Sequence, residues 1–149
     1  MIKTFRGQVV DGGQDTIVLH TNDGSTGYKI VKFQILTKTP GVSSSEVIAK
    51  IYKVEQSTVT TTFDFSDQTL LAGVFFGIGS SGWYNASTII FDREIFNQDI
   101  YVTIKAQAGT DPCNYYIELE QIKLDISEST VATLKDIRNI KRTASLSPP

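Results

Sequence analysis

Glycines in the pattern G-x-G-x-x-G occupy residues 77–82 (GIGSSG), at the end of the apolar run LLAGVFFGIG. A dinucleotide-binding loop also needs a helix that begins there, because the helix N-terminus binds the pyrophosphate. The residues that follow, WYNASTIIF, are rich in β-branched and aromatic types and typical of a strand. No lysine occurs between Gly82 and Ile104, whereas a kinase-type glycine loop needs one on the next strand. The glycines therefore predict a turn between two strands and no nucleotide site.

Three other features could carry chemistry: the single histidine His20, the single cysteine Cys113, and the acidic run DREIFNQD at residues 92–99. Acid–base catalysis and metal binding need several groups together, and the sequence names no partner for His20. Cys113 is expected to be a small apolar core residue. The acidic run lacks the dense oxygen ligands and glycine of a calcium loop, so it predicts a solvated loop with Arg93 as a local partner. We expect no catalytic residue, no metal and no cofactor, and thus no enzyme.

The aromatic pair Trp83–Tyr84 follows the glycines and contains the only tryptophan. Aromatic side chains at a loop tip can stack on sugars or anchor a protein partner, since they bring a large contact area at little entropic cost. Alternatively, Trp83 folds back and caps one end of the fold, because isolated apolar residues near a surface often have no function. Both interpretations stay open.

Period-two alternation of apolar and polar residues runs through nearly the whole chain. It predicts nine strands, separated by turns such as DGGQ and NDG that contain glycine. The predicted strands are residues 2–10, 16–20, 28–37, 46–55, 59–65, 70–79, 86–91, 100–106 and 115–124. In the last of these, a bulge near Glu120 or Gln121 would bring Ile122 and Leu124 to the same face as Tyr115. The pattern predicts an all-β fold, an antiparallel β-sandwich of jelly-roll or immunoglobulin-like type.

The C-terminal part of the chain has a different period. Val131, Leu134 and Ile137 recur every third residue, which predicts one α-helix over about 128–140. The sequence SLSPP cannot continue a helix and predicts a flexible tail over 141–149. At 149 residues we expect a single domain, 1–140, that includes this helix.

Composition argues against several classes of protein. The net charge is −2 and the basic residues are scattered, which disfavours a nucleic-acid partner, because phosphate binding needs a basic face. No uncharged apolar run is long enough to cross a membrane, and MIKTFRGQVV lacks the apolar region of a signal peptide. A single cysteine fits assembly in a reducing cytoplasm.

Three phrases, GWYNASTIIFDREIFNQDIYVTI, CNYYIELEQIKLD and STVATLKDIRNI, resemble small structural proteins of marine tailed bacteriophages of the cyanophage type. The resemblance extends from VKFQILTKTPG to the predicted helix. It implies a non-enzymatic virion protein assembled in the host cytoplasm, with the major capsid protein or other virion proteins as partners. A capsid decoration (cement) protein that forms trimers on the outer shell is the form it favours, and a neck or tail component is the alternative. No binding residue carries over with the resemblance.

Two sets of residues are therefore candidates for interactions. Trp83 and Tyr84 would contact another virion protein or, in a carbohydrate-binding adhesin module, a glycan. The predicted helix would pack on the sandwich or on a neighbouring copy. The tail KRTASLSPP, which contains Arg142, would then reach another subunit.

Overall fold

The structure is a computed structural model, and it describes residues 1–39, 46–78, 84–91, 94–125 and 133–134. Within these residues the chain forms eight strands, and every pair of neighbouring strands is antiparallel. The strands are β1 (Ile2–Val9), β2 (Gln14–Ile17), β3 (Thr26–Thr37), β4 (Glu46–Tyr52), β5 (Leu70–Ile78), β6 (Tyr84–Ile90), β7 (Ile100–Ala108) and β8 (Cys113–Lys123). The predicted all-β antiparallel sandwich is confirmed.

Two sheets form the sandwich. The smaller sheet has the order β1-β8-β3 and the larger has the order β2-β7-β4-β5-β6. Alternate residues of each strand point between the sheets, as the period of two requires. Their side chains form one apolar core that includes Phe33, Ile51, Leu71, Val102, Ile104, Ile117 and Leu119.

The outer face of the larger sheet is buried at β4, whose residues from Val47 to Tyr52 are all buried. It is covered by residues 53–69, which we call the cover segment. The prediction of a strand at 59–65 is wrong, because Asp64 and Asp67 bond locally to the backbone N–H groups of Ser66 and Thr69. Such side-chain turns compete with a strand ladder for the same donors.

A bulge does occur in the smaller sheet, but on β3 instead of β8. The β3–β8 register shifts between Ile30 and Lys32, whereas the pairing of β8 with β1 continues without a shift. The extra residue, Val31, points outward and is exposed, so Ile30 and Phe33 both reach the core. The predicted bulge near Glu120 is therefore wrong.

The predicted C-terminal helix and tail lie outside the described residues, apart from Thr133 and Leu134. Thr133 accepts a hydrogen bond at Oγ1 from Asn97 Nδ2, at 2.7 Å. Among the described residues, no helix has the length and apolar character that crossing a bilayer requires.

Candidate interaction site

The glycine pattern leads into a strand, as predicted. The last residue of β5, Ile78, pairs with Tyr84, the first residue of β6. A dinucleotide site would need a helix to begin after the glycines, whereas the next described element is the strand β6. The position of β6 therefore fits the interpretation of the glycines as a turn. Of the candidate residues, Trp83 and Arg142 lie outside the described residues. For Tyr84 the structure describes the backbone, as the first residue of β6.

The two described acids of the run at 92–99, Glu94 and Asp99, have different partners. Glu94 forms an ion pair with the buried Lys53, with 3.1 Å between Oε2 and Nζ. Asp99 instead contacts His20, with 2.7 Å between Oδ1 and Nδ1. The expected partner Arg93 lies outside the described residues.

His20 and Asp99 join the end of β2 to the start of β7. Besides the imidazole, Asp99 Oδ1 accepts hydrogen bonds from the backbone N–H groups of Leu19 and His20 at 2.8 and 3.0 Å. Burial raises the pKa of the Asp99 carboxyl, but these hydrogen bonds outweigh burial and hold it below its usual value. His20 is exposed, and no sequence signal linked it to a residue 79 positions away. The pair is a structural link between two elements.

Cys113 is buried in the core, as expected from its type. Burial raises the pKa of its thiol to about 11, so the reactive thiolate is scarce at neutral pH. In the part of the chain that the structure describes, no group of three or more His, Cys, Asp or Glu residues is placed to hold a metal ion.

Lys50 is a buried cation on the outer face of β4, and the residue is 1% exposed. Its Nζ donates to Thr62 O at 2.7 Å and to Thr60 Oγ1 at 3.2 Å, both in the cover segment. The ammonium also lies 5.5 Å from the ring centroid of Tyr52 and 5.8 Å from that of Phe63. Burial lowers the pKa of Lys50, while the charge of the more distant Asp67 acts in the opposite direction. Lys50 thus joins the cover segment to the sheet.

Apolar side chains are exposed on the cover segment and on the neighbouring strand β6. Phe65 is 56% exposed and packs edge-on against Phe91, with ring centroids 5.3 Å apart. Phe63, 38% exposed, lies over Gly73, and Ile89 pairs with Gly73 from β6. Ile89 looks like a core residue in the sequence, but it is 44% exposed on the outer face of an edge strand. We call Phe63, Phe65, Ile89 and Phe91 the outer patch.

A cleft of about 950 Å³ lies beside β6. One wall is formed by Val74 and Phe76 of β5 with Ala86 and Thr88 of β6. The other wall is formed by β1, β3 and β8, including residues 34–36 of β3. β6 is therefore exposed on both faces, with the outer patch on one side and the cleft on the other.

Comparison with known proteins assigns no family: no protein-family model matches the chain, and no curated protein matches it.

Proposed function

We propose that this chain is a non-enzymatic bacteriophage virion structural protein. In this proposal it is a capsid decoration (cement) protein that binds the outer capsid surface and stabilises the shell. The observation that carries the proposal is the flank made by β6 and the outer patch, where apolar side chains and a strand edge are exposed together. Contiguous exposed apolar surface of this kind is typical of protein–protein contacts. The resemblance to marine phage structural proteins supplies the kind of partner, the major capsid protein or another virion protein.

The order of the strands supports a jelly roll, which is common in viral capsid and lectin domains. A jelly roll is a long hairpin of eight strands, paired first to last, that rolls up into two sheets. The pairs β1–β8, β2–β7 and β4–β5 are all present. The fourth pair would be β3–β6, but β6 pairs with β5, and the cleft lies between β3 and β6. The fold alone does not carry the function, since one fold serves many.

The location of the protein in particles tests the proposal. Purified phage that encodes this chain would be separated into capsids and tails, and each fraction would be analysed by quantitative mass spectrometry. We expect the protein in the capsid fraction, in a constant ratio to the major capsid protein. Its presence in tails or necks would favour the alternative virion component. Its absence from both fractions would contradict the proposal.

The resemblance also predicts a trimer, and the composition of the C-terminal tail suggests that it reaches another subunit of the particle. Capsids that lack the protein would be incubated with the full chain, with Arg142→Ala and with a chain that ends at residue 140. We expect occupancy to fall for the shortened chain and, to a smaller extent, for Arg142→Ala. Unchanged occupancy in both would remove the tail from the interface.

The cleft favours carbohydrate binding as a second candidate. Amide side chains of Gln8, Gln34 and Asn114 belong to its walls, and amides offer donors and acceptors that match sugar hydroxyls. A glycan array would compare the wild type with Gln34→Ala and Trp83→Ala. Loss of a signal in Gln34→Ala alone would locate the sugar in the cleft, and loss in Trp83→Ala alone would locate it at the glycine turn. No signal with the wild type would contradict this candidate.

A further inference from the structure

Strand β6 is an open edge of the larger sheet. Among the described residues it pairs with β5 alone, so one row of its backbone N–H and C=O groups has no strand partner. The side chains of Ala86, Ser87, Thr88 and Ile89 are all exposed, on both faces of the strand. An edge that no described strand covers is a template for another strand.

The other sheet edges carry features that discourage strand addition. β1 contains Lys3 and Arg6, and β3 contains Lys29 and Lys32 together with its bulge. β2 is only four residues long and contains an aspartate. Charges, bulges and short length are the devices by which proteins protect their edges. The seven residues of β6, YNASTII, include no charged residue and no proline, and β6 pairs with β5 without a register shift.

We propose that β6 pairs with the β6 of a second copy of this chain, antiparallel and about a two-fold axis at Ser87. Ser87 would then oppose the second copy's Ser87, and Ala86 would oppose the second copy's Thr88, so that the larger sheet continues through both molecules. A second copy is the occupant because an uncharged strand meets its own copy without repulsion, whereas self-pairing of β1 would gather the cations of both copies. A two-fold symmetric contact also uses the same surface on both molecules, so it covers the open edge of each.

The side chains on both faces of β6 fit this pairing. Ala86 and Thr88 are small and line the cleft, which leaves room for the same residues of the second copy. On the outer face, Ile89 belongs to the outer patch and would lose its exposure in the pair. The inference rests on the sheet edge and does not depend on the phage assignment.

Mass measurement and a charge substitution test the contact. By light scattering after size-exclusion chromatography, we expect the wild-type protein at twice the 16.4 kDa mass of the chain. Ser87→Lys places two like charges at the axis and should raise the dissociation constant about fivefold. The matched control Thr4→Lys, at an exposed position on the β1 edge, should leave the mass unchanged. Circular dichroism of each variant checks that it folds.

Cysteine cross-linking gives the register. Residues that oppose each other in antiparallel strands have Cα atoms about 4.5 or 5.5 Å apart, which lies within the range of a disulfide. Ser87→Cys should therefore form a covalent dimer under mild oxidation, whereas Thr4→Cys should not, and the buried Cys113 is inaccessible in both. A single-chain mass at every concentration, the mass of three chains that the resemblance predicts instead, or equal cross-linking by the two cysteines would overturn the proposal. Each of these results can occur whether or not the protein belongs to a virion.

Discussion

Substituting Lys50 by methionine would test how the cover segment is held on the larger sheet. Methionine keeps the length of the lysine stem and its packing between Tyr52 and Phe63, but it removes the ammonium. The change therefore deletes two hydrogen bonds and two contacts with aromatic rings and leaves the remaining packing in place.

Opposing effects of similar size determine how much Lys50→Met changes the free energy of unfolding. Each hydrogen bond from a charged group stabilises by roughly 1.5–3 kcal/mol, and each cation–π contact by about 0.5–2 kcal/mol. Burying an ammonium without a carboxylate partner costs several kcal/mol, and this cost disappears with the charge. Thr60 and Thr62 are exposed, so water can take the place of the lost donor. We expect Lys50→Met to change the free energy of unfolding at pH 7 by no more than about 1 kcal/mol.

A pH comparison separates the two effects. The lowered pKa of Lys50 means that the unfolded chain binds more protons than the folded chain between the folded pKa and 10.5. The contribution of Lys50 to the free energy of unfolding should therefore rise with pH through this window, and Lys50→Met should lose this contribution. The raised pKa of Cys113 acts in the opposite direction above pH 9, but it does so equally in both proteins and cancels in the comparison. Burial, together with Asp67 and Asp64, raises the pKa of Tyr52 to about 12. This tyrosine destabilises the fold only above its unfolded value near 10, so measurements should end at about pH 9.5.

Urea unfolding followed by circular dichroism at pH 7 and about pH 9.5 measures both quantities. The matched control is Lys32→Met on β3, where the lysine is exposed and the substitution should change neither the stability nor its pH dependence. If Lys50→Met lost more than about 3 kcal/mol at pH 7, hydrogen bonding would outweigh burial, contrary to the reasoning. Identical pH slopes for the wild type and Lys50→Met would refute it as well.

Two further substitutions test the links between elements. Asp99→Asn should lower the free energy of unfolding by about 1–2 kcal/mol at pH 7, because the charge that accepts from His20 is lost. Since the folded pKa of Asp99 is lowered, the difference should shrink as the pH falls below 3.8 and through the folded value, and an equal loss at pH 7 and about pH 3 would contradict this. Gly73→Ala puts a Cβ 2.6 Å from Phe63 Cε1 and should cost about 1–3 kcal/mol. Phe63→Leu in the same chain should recover most of that loss in thermal unfolding, whereas additive losses would show that the two residues do not interact.

The alternation of apolar residues predicted the strands that pack in the core, because burial on one face imposes the period of two. It failed at residues 59–65, where Val59, Thr61, Phe63 and Phe65 alternate as in a strand. There Phe63 lies over Gly73 of the sheet while Phe65 stays exposed, and the backbone turns at Asp64 and Asp67. Alternation of apolar types does not report whether the backbone has a ladder partner.

The bulge shows a similar limit. The phase change of Ile122 and Leu124 suggested an extra residue in β8, but Ile122 stays half-buried within a regular strand and Leu124 is buried beyond its end. The extra residue is Val31, an apolar type that looks like a core residue in the sequence. Apolar type alone cannot separate a bulged residue from a core residue, since tertiary packing decides which is exposed.

The contacts of the site residues were less accessible to sequence reasoning than the strands. Lys50 lies in a strand and reads as a solvent-facing residue by its type. Its burial depends on the cover segment, which crosses the outer face of β4. The pairing of His20 with Asp99 depends on β2 lying beside β7. Both contacts join parts of the chain whose proximity follows from topology, which one sequence does not state.

The topology also links the open edge to the cleft. If β6 paired with β3, the fourth jelly-roll pair would close the cleft and cover the edge that we propose for self-association. The bulge at Val31 and the lysines of β3 disfavour that closure, because they twist and charge the strand that β6 would join. Pairing of β6 with β5 leaves the uncharged residues Ala86, Ser87, Thr88 and Ile89 exposed at the sheet edge. The β1 and β3 edges are protected by charge and the β6 edge is neutral, which directs strand addition to β6. The Ser87 and Thr4 variants are informative as a pair because Ser87 lies on the neutral edge and Thr4 on the charged edge of β1.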